Sequence, residues 1–281
     1  LLFQSVEFDL RISLGENMRT KVWLGLHLSG INAEKSALAA FELKDHIPTV
    51  TSLFERLGPK GIQTSDDRLF EIFETLSPDD CVFIDSPLGV PPCIKCIRPV
   101  CPGAMRCDDV GVAYISSISQ QIGKRRRPVS PQAYRVWDAL QLKSKLLIEP
   151  TYNSNTGPLV YRARILEKRL RSLRSTFFLR ETQIDLVVLR IWKNFKFPDY
   201  SLKAYRSFEL GVQTRKKILN AMMEKKFLAL HDQDLERAVR SIEVFQAVLA
   251  GWVNVKGTLG QLEGPPLNYM PDDSWVWLPI L

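Results

Sequence analysis

The chain has no apolar run approaching the roughly 18 residues that a membrane-spanning helix requires. Its N-terminus also lacks the charged, apolar and small-residue succession of a secretory signal, so a cytoplasmic protein with no membrane partner is expected. Gly-rich phosphate loops are missing, which makes nucleotide- or sugar-phosphate-handling chemistry the least expected function. No Gly-x-Ser-x-Gly elbow surrounds Ser86, which removes serine-hydrolase chemistry of that type. With no internal repeat and no linker, residues 18–281 are expected to form a single domain, and residues 1–17 an extension that is the least ordered part.

What is present is an ordinary globular composition over 281 residues, 45% hydrophobic and 25% charged. The 38 Lys and Arg outnumber the 31 Asp and Glu, for a net charge of +7 and a pI near 9.2. Such a field favours encounter with a polyanion, so nucleic acid is the partner class expected.

The order of elements reads as α/β. Lys21 to Leu28 and Ser36 to Leu43 are strand-like on either side of turn residues Ser29 to Asn32, and a third strand is expected near Thr49 to Leu53. Ser65-Asp66-Asp67 opens a helix whose Leu69, Ile72, Phe73 and Leu76 share one face. Cys81 to Ile84 then reads as a strand buried on both faces, with Asp85 at the point where Pro87 and Gly89 turn the chain. An acid there either caps the following loop or stands in the crevice at the carboxyl end of a sheet. Further helices are expected over Pro131 to Leu147, along the stripe Leu159, Ala163, Leu166, Leu170 and Leu173, over Leu186 to Trp192, over Tyr205 to Met223, and over Leu235 to Val253. Thr176 to Arg180 is a short strand ending at Glu181, and Asp273 to Pro279 a closing strand. Glu243 lies on the small-residue side of the last helix, where close approach to a sheet would bring it to the rim near Asp85.

Residues 88–130 stand apart as a Cys-rich and basic insertion. Cys93, Cys96, Cys101 and Cys107 place four of the five cysteines within fifteen residues amid Pro92, Pro99, Pro102 and Gly103. A loop with so little core is fixed naturally by structural Zn2+ on four thiolates; reduced thiols, an iron-sulfur cluster and disulfides are the alternatives. Lys124-Arg125-Arg126-Arg127 follows, and Arg164, Lys168, Arg171 and Arg174 line another face of the long helix. Each is either solvated surface or a track for a phosphate backbone.

Several segments together resemble a family of uncharacterised proteins described as predicted nucleases with an RNase H-like fold. The resemblance is carried by Trp23-Leu24-Gly25-Leu26-His27-Leu28-Ser29-Gly30, Phe83-Ile84-Asp85-Ser86-Pro87-Leu88, Phe178-Leu179-Arg180-Glu181, Ser201 to Arg206 with Arg215 to Leu219, Ile242 to Phe245 with Ala250 to Val253, and Trp275 to Pro279. It spans nearly the whole chain from Met18 and rests on the order and spacing of these motifs. It implies an RNase H-like mixed sheet with flanking helices, to which this chain adds the Cys-rich insertion. It further implies metal-dependent phosphodiester hydrolysis of DNA or RNA, with Asp85, Glu243 and Glu181 as catalytic acids and Asp85 and Glu243 as ligands of Mg2+ or Mn2+. Two such cations about 4 Å apart activate water and stabilise the leaving oxygen. The family has an Asp where His27 stands. Either two-metal catalysis is lost, or one metal works with His27 as ligand or general base. The alternative implied is a degenerate module that binds nucleic acid without cutting it.

Overall fold

The computed structural model describes residues 21–30, 32–58, 64–77, 80–122, 129–143, 150–154, 156–173, 178–198, 204–207, 209–265 and 275–281. Residues 1–17 and the Lys124 to Arg127 run lie outside these. The first strand, β1 (Trp23–His27), alternates between two apolar faces, with Trp23 on one and Leu24 and Leu26 on the other. A 3-10 turn at Ala33–Lys35 leads into β2 (Ala37–Lys44), and β3 (Ile47–Phe54) follows. Helix α1 (Ser65–Glu74) starts at a capping box, in which Thr64 and Asp67 satisfy each other's backbone N–H groups. Then come β4 (Cys81–Ile84), the one-turn α2 (Pro92–Lys95), a 3-10 turn at Ala104–Arg106, α3 (Val110–Ile122), α4 (Val136–Lys143), α5 (Gly157–Leu173) and β5 (Phe178–Glu181). The chain continues with α6 (Ile184–Asn194), α7 (Glu209–Glu224), α8 (Asp232–Arg240) and α9 (Ile242–Thr258), and closes on β6 (Leu262–Glu263) paired to β7 (Leu278–Pro279).

The result is an α/β fold around a five-stranded mixed sheet in the order β3-β2-β1-β4-β5. β2 is antiparallel to β1 and β3, while β4 is parallel to β1 and β5. Helices cover both faces. Trp23, Phe41, Val50 and Phe83 pack with α6, α7 and α9. Leu24, Leu26, Leu38, Val82 and Ile84 pack with α1 and α5. Among the described residues no helix is long and apolar enough to cross a membrane.

The helix expected from Pro131 starts at Val136 and the one expected from Tyr205 starts at Glu209 after a 3-10 turn, and two further elements differ more. The helix expected over Leu235 to Val253 is two helices, because Ser241 takes an extended conformation and its hydroxyl accepts the Val244 N–H at 3.2 Å, starting a new helix. The break separates a strongly amphipathic surface helix, α8, from α9, which is buried from Val244 to Val255. Between Asp85 and the basic run, α3 is an element that the composition hid. Asp109 accepts the Val112 N–H at 2.9 Å at its start, and Ile115 and Ile118 bury themselves against Val129, Tyr134, Val136, Ala139 and Leu142.

Helix α9 touches β1 without side chains between them. A Cβ on Gly25 would overlap the backbone N of Gly251 and the carbonyl O of Ala247, and one on Gly251 would collide with the Phe41 ring. Gly25→Ala is therefore expected to destabilise the protein on the order of 3 kcal/mol or more. Gly157→Ala, where an added Cβ meets nothing within 4 Å, should change stability by less than about 0.5 kcal/mol. Urea denaturation of both variants checks the pair, and equal small effects would contradict the close approach.

Candidate active site

The carboxyl ends of β1 and β4 lie side by side. Leu26 pairs with Ile84, and the Asp85 N–H extends the ladder by donating to Leu26 O at 3.0 Å. Counting along the pleat from Trp23 and Phe83, His27 and Asp85 both fall on the α9 face. His27 Nδ1 stands 3.7 Å from Asp85 Oδ2, beyond hydrogen-bond reach, and is buried with no partner. The Ser86 hydroxyl is likewise buried and unpartnered.

Asp85 also performs a structural task. Its Oδ1 accepts the N–H of Ile184, the first residue of α6, at 3.2 Å. The preceding Gln183 makes no side-chain cap, so a carboxylate from another strand takes that place at the positive end of the helix. One residue further, Asp185 accepts from Tyr205 Oη at 2.6 Å and from Arg206 Nη2 at 3.0 Å. Burial pushes the Asp185 carboxyl up; Arg206 and Tyr205 pull it down, and the nearby charge of Asp85 adds to the rise. Tyr205 is held firmly as a phenol, chiefly by its own burial.

Glu243, in the first turn of α9, accepts from Ser241 Oγ at 3.0 Å. Its charge reaches the same neighbourhood through Arg215, whose guanidinium is lowered by desolvation and supported by Glu243. Arg215 in turn donates to Tyr205 O at 2.5 Å and Val239 O at 2.8 Å.

Glu181 has a different environment. It pairs with Ile84 in the β4–β5 ladder, so the pleat sends it to the α1 and α5 face, opposite His27 and Asp85. There Oε2 accepts from Arg135 Nη1 at 2.6 Å and from the Leu88 N–H at 2.8 Å. Arg135 also holds Asp138 at 3.1 Å, and Thr151 donates to Asp138 at 2.6 Å. Burial alone would lower the Arg135 pKa, but Asp138 and Glu181 raise it well above the usual value, so the network is a buried, charged cluster. Glu181 is spent on that network and not on the rim.

The remaining predicted residues are spread over the molecule. Cys93 sits in α2, Cys96 directly follows it, Cys101 lies in irregular backbone before the 3-10 turn at Ala104–Arg106, and Cys107 directly follows that turn; none of the five cysteines is in a disulfide. Cys81, in β4, is partly buried, and desolvation pushes its thiol up to about 11. Arg164, Lys168 and Arg171 are exposed on α5, with Arg171 held by Glu167 at 2.7 Å; Arg174 lies outside the described residues. Among the described residues, no three His, Cys, Asp or Glu side chains are gathered closely enough to hold a metal ion.

The sequence reading did not name Asp185, and it gave Tyr205 and Arg206 no role at the site although both lie in a segment that carries the resemblance. The available signal was an acid in the first turn of an apolar-periodic helix directly after a strand, which puts it at the same end of the sheet as Asp85. Comparison with models of known protein families, with curated proteins and with solved structures finds no match to this chain.

Two outcomes follow from these charges. Arg135→Met strands Glu181 and Asp138 in the interior and is expected to cost about 3–5 kcal/mol in urea denaturation; a loss below about 1 kcal/mol would mean that the pair is not buried. For Asp185, a folded pKa above its ordinary 3.8 means that the folded chain binds a proton that the unfolded chain releases. Its contribution to stability is therefore greatest below 3.8 and falls as pH rises through the folded value. Unfolding free energies between about pH 3 and pH 7 should show the wild-type advantage over Asp185→Asn shrinking as pH rises, and a growing advantage would reverse the assignment.

Proposed function

We propose that the rim formed by His27, Asp85 and Asp185 carries metal-dependent hydrolysis of phosphodiesters in DNA or RNA, on an RNase H-like fold. The observation that carries this reading is the pair of electrostatically coupled carboxylates, Asp85 and Asp185, at the N-terminus of α6 beside an unpartnered imidazole. The ends of β1, β4 and α9 face the same side of a mixed sheet, which supports the resemblance read from the sequence, where acids come from the first strand, a later strand end and the last helix.

Mg2+ and Mn2+ fit this donor set. Mg2+ keeps most of its waters and is commonly held by one or two carboxylates together with substrate phosphates, so a preassembled cage of three side chains is not required. Asp85 and Asp185 would hold the cation, relieving the like-charge coupling between them, and the bound ion would lower the pKa of a water and stabilise developing charge. His27 Nδ1, with no other partner, is free to accept a proton or to complete the ligand set; an imidazole there favours Mn2+ over Mg2+. Glu243 acts at a distance, through Arg215 and Tyr205. Helix α5 starts beside the loop after β1, where a Cβ on Gly30 would lie 3.4 Å from Leu159 N. α5 packs on the face of the sheet opposite His27 and Asp85, and its exposed Arg164, Lys168 and Arg171 would bind the phosphate backbone where it passes beyond the rim.

A second reading, a binding module without cleavage, is favoured by Arg206. Its guanidinium already neutralises Asp185, at 3.0 Å, and would share that carboxylate with any metal.

Cleavage of single-stranded, duplex and hybrid substrates with Mg2+ or Mn2+ separates the two. Asn at position 85 can still accept the Ile184 N–H, so Asp85→Asn should fold and lose on the order of 100-fold or more in rate. His27→Asp should raise the Mg2+-supported rate relative to that with Mn2+. Cleavage unchanged by Asp85→Asn rules out this site. Salt-dependent binding without cleavage supports the module instead.

A further inference from the structure

The lobe between β4 and α3 is built with almost nothing inside it. From residue 92 through residue 110 not one side chain is buried. Ile97, Val100 and Met105 are 97%, 77% and 74% exposed. Ordering each residue costs roughly 1–2 kcal/mol of backbone entropy, and here only Pro92, Cys93, Ala104 and Cys107 are even half-buried to offset it. Few polar contacts tie the lobe down. The Cys93 N–H donates to Pro131 O at 3.2 Å, Gln120 Nε2 approaches Met105 Sδ at 3.7 Å, and Arg98 pairs with Asp108 at the surface.

The chain nevertheless takes two short turns, and each ends on a cysteine. Cys96 follows α2 and Cys107 follows the 3-10 turn at Ala104–Arg106, both in extended conformation. Gly103, at φ 82°, supplies the left-handed bend between them. We propose that Cys93, Cys96, Cys101 and Cys107 bind one Zn2+ as a tetrahedral thiolate site, and that this ion supplies the missing interior of the lobe.

The thiols are near enough to sense one another. The charges of Cys107, Cys101 and Cys96 all reach Cys93, so the four sulfurs lie in one neighbourhood, where four thiolates would repel one another. Zn2+ removes that repulsion: four S–H groups give up their protons as four Zn–S bonds of about 2.3 Å form, with no change of oxidation state. The four side chains are not gathered at ligand distance among the described residues, so binding would have to draw them together. Arg98, whose charge couples to both Cys107 and Cys96, offsets part of the net negative charge of a zinc tetrathiolate. An iron-sulfur cluster also takes four thiolates but is larger, and this lobe has no buried wall to shield it from solvent.

The test is independent of the rim. The full chain, purified under reducing conditions without chelator, should retain about one zinc per molecule by elemental analysis. Removing it with a chelator should speed tryptic cleavage at Lys95, Arg98 and Arg106, and returning Zn2+ should slow it again. The Cys93→Ser/Cys107→Ser double variant should lose the zinc, while Cys81→Ala keeps it. If the double variant is insoluble, Co2+ added to the stripped wild type should give the visible bands of a tetrahedral thiolate site. Zinc retained by the double variant, iron with acid-labile sulfide in place of zinc, no metal in the wild type, or Co2+ without those bands would each overturn the assignment.

Discussion

Backbone contact between the central strand and the most buried helix is the constraint on which the rest depends. Gly25 of β1 and Gly251 of α9 meet so closely that no side chain fits between them. Trp23 Nε1, donating to Thr258 at 2.7 Å, and Asn254, donating to Leu24 O at 3.0 Å, hold the other end of the same seam. With the helix seated there and running antiparallel to β1, its first turn, which carries Glu243, lies toward the end of β1. Site and core share one contact.

Pleat parity then sorts the carboxylates. Asp85 follows Phe83 by two residues and shares its face, where the start of α6 offers an unsatisfied N–H and brings Asp185 with it. Glu181 is in register with Ile84 and faces the other way, into a buried cluster with Arg135 and Asp138. Both residues are acids where an apolar strand stops. One stands where charge, helix dipole and an unpartnered imidazole meet, and the other stabilises the interior; the difference is one step of a two-residue repeat.

The two other predicted features sit outside the main core for different physical reasons. Helix α5 buries Ala163, Leu166 and Leu170 against α1 and the sheet, which leaves Arg164, Lys168 and Arg171 to solvent. The cysteine lobe has no apolar stripe to bury, so any order in it must come from something other than the hydrophobic effect.

Much of the fold was legible in the chain. Continuous apolar runs at Trp23 to Leu26 and Cys81 to Ile84, the Thr64 to Asp67 helix start, and the 3.6-residue stripe from Leu159 to Leu170 are local patterns whose period survives folding. The α3 helix and the break at Ser241 were missed because a Pro- and Cys-rich context masked one and a continuous apolar period bridged the other. At the rim, the sequence singled out Asp85 because it ends an apolar strand, and His27 because the resemblance puts an acid at that position. It named Glu181 and passed over Asp185 as the acid beside Asp85. That choice depends on strand register and on which helix start meets which strand end, and both are set by contacts between residues about 100 positions apart, such as Asp85 with Ile184. Tertiary structure alone decided it, because the face on which a side chain emerges is a property of the assembled sheet.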